Sequence, residues 1–275
     1  MADLLRSIVQ LAQKAGHEIL DIYRNDHIVV TQKDNDSPVT QADMLAHNII
    51  CKALAKLTPE ILIISEESVT QKQHQKRKHC SRYWLIDPID GTKGFIKKND
   101  HFTVNIALIE NHQPILGVVF APALDELFYA EKNGGAFKIQ GERTTSIQTY
   151  HQETPSTWKI LLSGDHPSPE IKSKLALLGN YEISSMSSSL KMCRVAEGAV
   201  HLYPRFRPTQ EWDTAAAHCI VNESGASMIM VKDQEELRYN TSTSMVNPYF
   251  IAVPKTLLPV VVSWVLTQSL PSSHS

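Results

Sequence analysis

The sequence predicts an α/β protein in two lobes, residues 1–149 mixing helices with sheet and residues 150–275 alternating more regularly. Three observations carry this. From about Tyr150 onward, apolar runs and helical periodicities alternate, as in a sheet whose strands are joined by helices. Before that point, β-rich runs succeed one another with turn residues between them and helices on their flanks. Finally, 275 residues with 42% hydrophobic and 20% charged content can bury a substantial core.

Taken in order, Leu4, Leu5, Ile8, Leu11, Ala12, Ala15, Ile19 and Leu20 recur at helical spacing and predict a long first helix. "HIVVTQK" (27–33) is a short strand. Thr40 to Leu57 is a second amphipathic helix, with Thr40 as its cap and Asp43 in its first turn. "ILIIS" (61–65) is a buried strand running into Glu66 and Glu67, and the polar "QKQHQKRKH" (71–79) is a solvated loop. "YWLI" (83–86) reads as a strand that ends at Asp87, because Pro88 holds Asp87 extended. Asp90-Gly91-Thr92 then reverses the chain into a helical turn, with Asp90 near the cap. "FTVNIALIE" and "ILGVVF" form a hairpin about Asn111-His112, and "ELFYAEKNGGAFKI" adds strands about Gly134-Gly135. The second half reads as strand "WKILLS", helix 168–178, strand "YEIS", helix 188–197, strand "AVHLY", helix 213–223, strands "ASMIM" and "YFIAV", and a closing helix before a frayed "PSSHS".

Several classes of function are excluded. A net charge of −2 supplies no basic field for long nucleic acid. The four cysteines form no C-x-x-C, and the twelve histidines no H-E-x-x-H, so free thiols in a reducing compartment are expected and a zinc hydrolase is not. Asp3, Arg6 and Gln10 interrupt the first helix, so no signal peptide is expected there. The apolar run Leu257 to Leu266 is shorter than the ~20 residues that span a bilayer and reads as a docking helix.

Carboxylates recur at the ends of buried elements: Asp43 at a helix start, Glu66 and Glu67 after "ILIIS", Asp87 and Asp90 after "YWLI", Asp213 in "EWDTAAAHCI". Each alone has a structural explanation, since an acid near a helix N-terminus is favoured by ~0.3–1 kcal/mol. Together they suggest an oxygen-rich site for a hard cation such as Mg²⁺. Two like charges ~4 Å apart repel by about 4 kcal/mol at an effective dielectric of 20, so such a cluster needs divalent metal or protons to neutralise it.

"WLIDPIDGTKGF" resembles the first signature of the inositol monophosphatase superfamily of Mg²⁺-dependent, Li⁺-sensitive phosphatases, and "WDTAAAHCIVNESGA" resembles the second. "PVTQAD" and "ISEES" match two further family stretches in the expected order. Within that superfamily, "TKGFIKKNDHFTVNIALIE" and "SSSLKMCRVAEGAVHLYPRFRPTQEWDTAA" are most similar to the bacterial CysQ-type 3'(2'),5'-bisphosphate nucleotidases, which act on adenosine 3',5'-bisphosphate. The resemblance implies a layered α/β/α/β/α sandwich of the inositol monophosphatase/fructose bisphosphatase type, with the site between the lobes. It also implies two or three Mg²⁺ ions: Glu66 and Asp87 with the Ile89 carbonyl at one, and Asp87, Asp90 and Asp213 at a second. Thr92 and Glu66 would orient the attacking water, with Asp43 accepting from the Thr92 hydroxyl. Gly91 and Thr92 N–H groups would bind the scissile phosphate. Glu67 would give outer support, and Trp84 and Trp212 would serve packing.

Ser163, His166, Ser188, Lys191 and Arg205 are the candidates for gripping the nucleoside and its second phosphate, although Lys191 also suits an amphipathic helix and His166 an ordinary loop. Relatives commonly carry arginine where Gly164 stands and glutamate where Gly94 stands; the first change puts a phosphate contact in doubt, with Arg205 as a substitute, and the second would loosen the turn. The expected partner is thus a small nucleotide bisphosphate, in the cytoplasm, with monomer or homodimer and attachment to the cytoplasmic face of the inner membrane left open. Inositol monophosphatase activity is the second reading, and a non-catalytic metal or nucleotide sensor a third.

Overall fold

Alternation of side chains along extended strands organises the molecule, because the central strands are apolar on both faces. The computed structural model describes residues 2–25, 30–32, 38–68, 70–164 and 169–266. The first part comprises α1 (Ala2–Arg24), β1 (Val30–Gln32), β2 (Pro38–Thr40), α2 (Gln41–Leu57), β3 (Leu62–Ser65), α3 (Gln71–Arg77), β4 (Arg82–Asp90), α4 (Thr92–Ile96), β5 (Thr103–Glu110), β6 (Gln113–Ala121), β7 (Glu126–Glu131), β8 (Gly135–Gln140) and β9 (Arg143–Ile147). The second comprises β10 (Trp158–Leu162), α5 (Pro169–Ala176), β11 (Tyr181–Ser185), α6 (Leu190–Ala196), β12 (Tyr203–Arg205), α7 (Glu211–Glu223), β13 (Ala226–Met230), β14 (Phe250–Pro254) and α8 (Leu258–Leu266).

Strands β3 to β9 form one seven-stranded sheet in chain order. Only the β3–β4 pair is parallel, with α3 as its crossover, and the others are antiparallel. In β4, Trp84 and Ile86 pack with α1 and α2, while Tyr83 and Leu85 pack with α6 and α7. The buried Trp84 indole donates to Thr58 Oγ1 at 2.9 Å, which satisfies its polar atom.

A second sheet stands beyond α6 and α7. Strands β12, β14 and β13 are antiparallel in that order, and β10 pairs with β11 in parallel. A bridge between Ile160 and Leu202 links the two pieces. Met228, Phe250 and Ala252 face α6 and α7; Ile160, Ile229, Ile251 and Val253 face α5 and α8 through Leu175, Val261 and Trp264. The layers therefore run α/β/α/β/α, as the resemblance implied. Among the described residues, no helix is long and apolar enough to cross a membrane.

Local chemistry explains the details. Asn111 and His112 both adopt left-handed φ, 50° and 70°, which suits the two-residue turn between β5 and β6. Lys138 pairs with Glu126 at 2.7 Å and with Glu197 at 3.0 Å, and Arg194 pairs with both acids, which pins α6 to the first sheet.

Four local expectations are corrected. Residues 71–79 are not simply a loop: Thr70 and Gln73 form a reciprocal capping box that starts α3, and Arg77 is wholly buried. Strand β4 does not stop at Asp87 but continues through a bulge to Asp90, and the cap of α4 is Gly91 rather than Asp90. Helix α7 begins at Glu211 with Gln210 as cap, two residues before Asp213. The strand predicted at "AVHLY" is β12, shifted to Tyr203–Arg205, because the N–H groups of Ala199 and Val200 fold back onto the Arg194 carbonyl. Strand β9 lacks an apolar run and was not foreseen. Of the strand predicted at 27–33 only Val30–Gln32 is described, and residue 168 and the tail 271–275 lie outside the described residues.

Helix α7 packs close against Gly117 of β6, where a Cβ would lie 2.2 Å from the Ala216 carbonyl oxygen. That oxygen is backbone, so it cannot rotate away as a side chain would. Gly117→Ala is expected to lower stability by about 1–3 kcal/mol or more, read as a fall in the thermal midpoint; an unchanged midpoint would mean that α7 is not seated there.

Candidate metal centre and active site

Two aspartates three residues apart in an unbroken strand point to opposite faces. In β4 the register passes from Asp87 opposite Asn105 to Asp90 opposite Thr103, so β4 carries one extra residue at Pro88-Ile89. That bulge turns the Asp90 carboxylate to the side of Asp87, the face covered by α7. Pro88 has no N–H to lose from the ladder, and the Ile89 N–H donates to Asp87 Oδ1 at 3.0 Å. Gly91 then takes a φ of 95°, with its Cβ position only 3.1 Å from the His101 carbonyl oxygen, and starts α4.

The third carboxylate comes from α7. Asp213 is the third residue of that helix and accepts from the Gln210 N–H at 2.9 Å, completing a capping box. One carboxylate oxygen from each of Asp87, Asp90 and Asp213 lies within 4.8 Å of the others. Glu66, just after β3, joins through a hydrogen bond with Asp87. Burial, then repulsion from Glu66, Asp90 and Asp213, pushes the Asp87 carboxyl well above its ordinary range. Asp213 is raised by burial and by Asp90. Asp90 is raised by burial to about 6, against the pull of Lys191 and of hydrogen bonds from Ser189 N–H and Asn105. A set of carboxylates that resists ionisation, Asp87 buried and the others partly so, is a donor set suited to a divalent cation with oxygen ligands.

Beside the cluster stands Thr92, whose hydroxyl lies 3.2 Å from Asp43 Oδ1 and 3.1 Å from the Ile89 carbonyl oxygen. Both are acceptors, so the single hydroxyl proton is committed and the Thr92 oxygen faces other groups as an acceptor. Asp43 serves two purposes at once. Its Oδ2 accepts from the Thr40 N–H at 2.7 Å and from Thr40 Oγ1 at 2.6 Å, which is the capping of α2, while Oδ1 takes Thr92.

A cavity of about 250 Å³ adjoins the acids and is lined by Asp90, Gly91, Ser163, Ser188, Lys191, Arg205 and Asp213 together. Lys191 is 4% exposed, donates to the Ser188 carbonyl at 2.6 Å and lies 5.3 Å from the Tyr203 ring centre. Burial, aided by Arg205 and opposed by Asp90 and Asp213, lowers its ammonium to about 8. Ser188 has a left-handed φ of 57°, and Ser163 Oγ is 3.4 Å from the Tyr203 hydroxyl. Arg205 sits at the rim, donating to the carbonyls of Arg207 and Pro208 at 3.1 and 3.0 Å. His166 lies outside the described residues. Gly164 has a φ of 94° and open space where a side chain would project. Gly94 is buried in an intact turn, its N–H 2.7 Å from the Gly91 carbonyl oxygen. It leaves room for Asn99, whose Oδ1 would stand 2.6 Å from a Cβ there.

Other residues at the site were not singled out by the sequence reading. Asn105 reaches Asp90 at 3.5 Å, and its own carbonyl accepts from Ser189 Oγ at 2.8 Å, which in turn is 2.9 Å from Thr103 Oγ1. The available signal was two polar residues, Thr103 and Asn105, on the same face of the otherwise apolar run "FTVNIALIE". Tyr203 and Lys93 line the cavity as well.

Acids drawn from β4 and α7 of a five-layered α/β sandwich define a site for a metal-dependent enzyme acting on phosphate. The chain belongs to the inositol monophosphatase family, whose model matches residues 1–262. It is 43% identical over 250 residues to a Salmonella typhimurium protein named 3'(2'),5'-bisphosphate nucleotidase CysQ, covering 90% of this chain and 98% of that one. The Escherichia coli K12 protein of the same name is 42% identical over the same shares. The crystal structure of CysQ from Bacteroides thetaiotaomicron, 34% identical, superposes with a TM-score of 0.80 over 92% of this chain and 97% of that one. An IMPase from Thermotoga maritima, 28% identical, gives 0.75 over 96% and 97%.

The repulsion within the cluster yields a test on the metal-free protein. A carboxyl raised in the folded state costs stability once pH exceeds its ordinary value, and the cost vanishes as pH falls toward 3.8. In chelator at pH 7.5, Asp87→Asn is expected to raise the thermal midpoint by about 2–4 °C for each kcal/mol of burial and repulsion cost removed. The gain should shrink toward pH 4. A midpoint lowered at pH 7.5 would contradict the repulsion.

Proposed function

We propose that this chain is a Mg²⁺-dependent 3'(2'),5'-bisphosphate nucleotidase that converts adenosine 3',5'-bisphosphate to AMP and phosphate, and accepts the 5'-phosphosulfate analogue. The observation that carries the reading is the adjoining of two unlike sites: the clustered carboxylates and a recess holding Lys191 and Arg205. A substrate with two separated phosphates matches that pairing, and relatives 42–43% identical over nearly their whole length bear this activity in their names.

Asp87, Asp90 and Asp213, with Glu66 and the Ile89 carbonyl, are the groups that would hold two or three Mg²⁺ ions. Such ions would neutralise the cluster, polarise the scissile phosphoryl group and sharpen the acidity of a water. The chain's own residues do the rest. Thr92, its proton committed to Asp43 or the Ile89 carbonyl, accepts a hydrogen bond from the attacking water and, with Glu66, aims that water at phosphorus. The N–H groups of Gly91 and Thr92 steady the phosphoryl oxygens. Water attacks phosphorus and gives up a proton, the bond from phosphorus to the ribose 3'-oxygen breaks, and that oxygen leaves as the alcohol, its uptake of one proton balancing the one the water released. Lys191 and Arg205 hold the second phosphate, while Ser163 and Ser188 border the nucleoside; His166 keeps the same proposed role. Catalytic groups thus come from both proposed lobes, 1–149 and 150–275. Four cysteines, all free, suit a reducing cytoplasm.

Inositol monophosphatase activity is the second reading, favoured by the likeness to the Thermotoga maritima IMPase. Phosphate release from adenosine 3',5'-bisphosphate and from inositol 1-phosphate, at equal concentration with Mg²⁺ or chelator, decides between them. The expected result is metal-dependent release, faster from the nucleotide. Faster release from the inositol ester would reverse the substrate, and equal release in chelator would remove the metal. Thr92→Ala should cut turnover by about 10²–10⁴ while Mn²⁺ binding is retained; unaltered turnover would take Thr92 out of the mechanism.

A further inference from the structure

Among the described residues, the most deeply buried cation outside the cavity is Arg77, in the last turn of α3, with no exposed surface. It forms an ion pair with Glu211, itself 4% exposed and two residues before Asp213. One guanidinium nitrogen also approaches the carbonyls of Ser242 and Ser244 at 3.4 and 3.3 Å. Asn240 closes the arrangement: its side chain donates to the Arg77 carbonyl and its N–H to Glu211 Oε1, both at 2.8 Å. The Glu211 N–H donates to the Met245 carbonyl at 2.7 Å. Helix α3 follows directly on the turn that carries Glu66 and leads into β4 with Asp87 and Asp90.

From this geometry we infer that Arg77 is a positioning residue for the acidic cluster, clasping the first turn of α7 through Glu211 so that Asp213 stays beside Asp87 and Asp90. The inference rests on the metal-site reading above. A buried ion pair is a poor source of net stability, since apolar replacements are often as good, so its value lies in what it holds in place. Here the force to be resisted is evident. Asp213 faces two carboxylates within 4.8 Å, and like charge on the three would push the start of α7 away from β4. Arg77 opposes that displacement and also neutralises Glu211, which would otherwise add a further negative charge to the same helical turn. The planar fork of arginine spans Glu211 and the 242–244 carbonyls together, which a lysine ammonium does not.

The test is Mn²⁺ binding by electron paramagnetic resonance on the intact chain without substrate, with Arg77→Lys, Glu211→Gln and the pair Arg77→Met with Glu211→Gln. Mn²⁺ affinity should weaken by about 10–100-fold in the double variant and by a smaller factor in Arg77→Lys. The Mg²⁺ concentration for half-maximal rate should rise in parallel, while KM for adenosine 3',5'-bisphosphate at saturating Mg²⁺ stays within about twofold. Folded variants that bind Mn²⁺ like the parent overturn the inference. Should the double variant fail to fold, Glu211→Gln, which keeps the side-chain shape, decides alone on the same criterion. If parent binding is unaffected by Asp213→Asn, the site reading falls with the inference; if Asp213→Asn abolishes binding and the clasp variants do not alter it, only Arg77's role falls.

Discussion

Carboxylates that repel one another, yet are held within reach of a single ion, are the constraint around which this molecule is arranged. Burial raises the carboxyls of Asp87, Asp90 and Asp213 above their ordinary range, and the charges of neighbouring acids add a tendency to separate. The backbone resists it. A bulge at Pro88-Ile89 commits two of the acids to one face, and the capping of α7 commits the third. The sheet beneath, apolar on both faces, supplies the rigidity that such a strained grouping requires.

Capping and chemistry are not rival explanations for these acids. Asp43 uses one oxygen to cap α2 and the other to receive Thr92, so the same bonds that start a helix orient a hydroxyl at the site. Asp213 likewise completes the first turn of α7 while facing Asp87 and Asp90. A helix N-terminus is a rigid place from which to present a carboxylate, because the residue's rotamer is already fixed by its cap. Beside the acids stands a separate wall of α6, β12 and the loop at Ser163, where burial weakens the hold of Lys191 on its proton and Asp90 and Asp213 strengthen it.

Much of this was legible in the amino-acid order. The long apolar strands, the two amphipathic helices at the start and the αβ alternation after Tyr150 are all expressed in local periodicity, and they appear as predicted. So does the gathering of Asp87, Asp90 and Asp213, which followed from the motifs. What escaped were features set by tertiary contact. Residues 71–77 look like a solvated cationic tract, yet Arg77 is buried because Glu211 and Asn240, more than a hundred residues away, receive it. The bulge could not be read from Pro88 alone, since a proline can equally end a strand. Asn105 and Ser189 matter through a side-chain network that joins β5 to α6, and periodicity does not encode such links.

The central claim is that these acids together hold divalent cations. Crystals grown with Mn²⁺ and measured at a wavelength giving anomalous scattering from manganese would test it directly. The account predicts anomalous peaks at two places, one bounded by carboxylate oxygens of Asp87, Asp90 and Asp213 and one by Glu66, Asp87 and the Ile89 carbonyl. A map with no manganese among these residues, or with Asp213 turned away from Asp87 and Asp90, would contradict it.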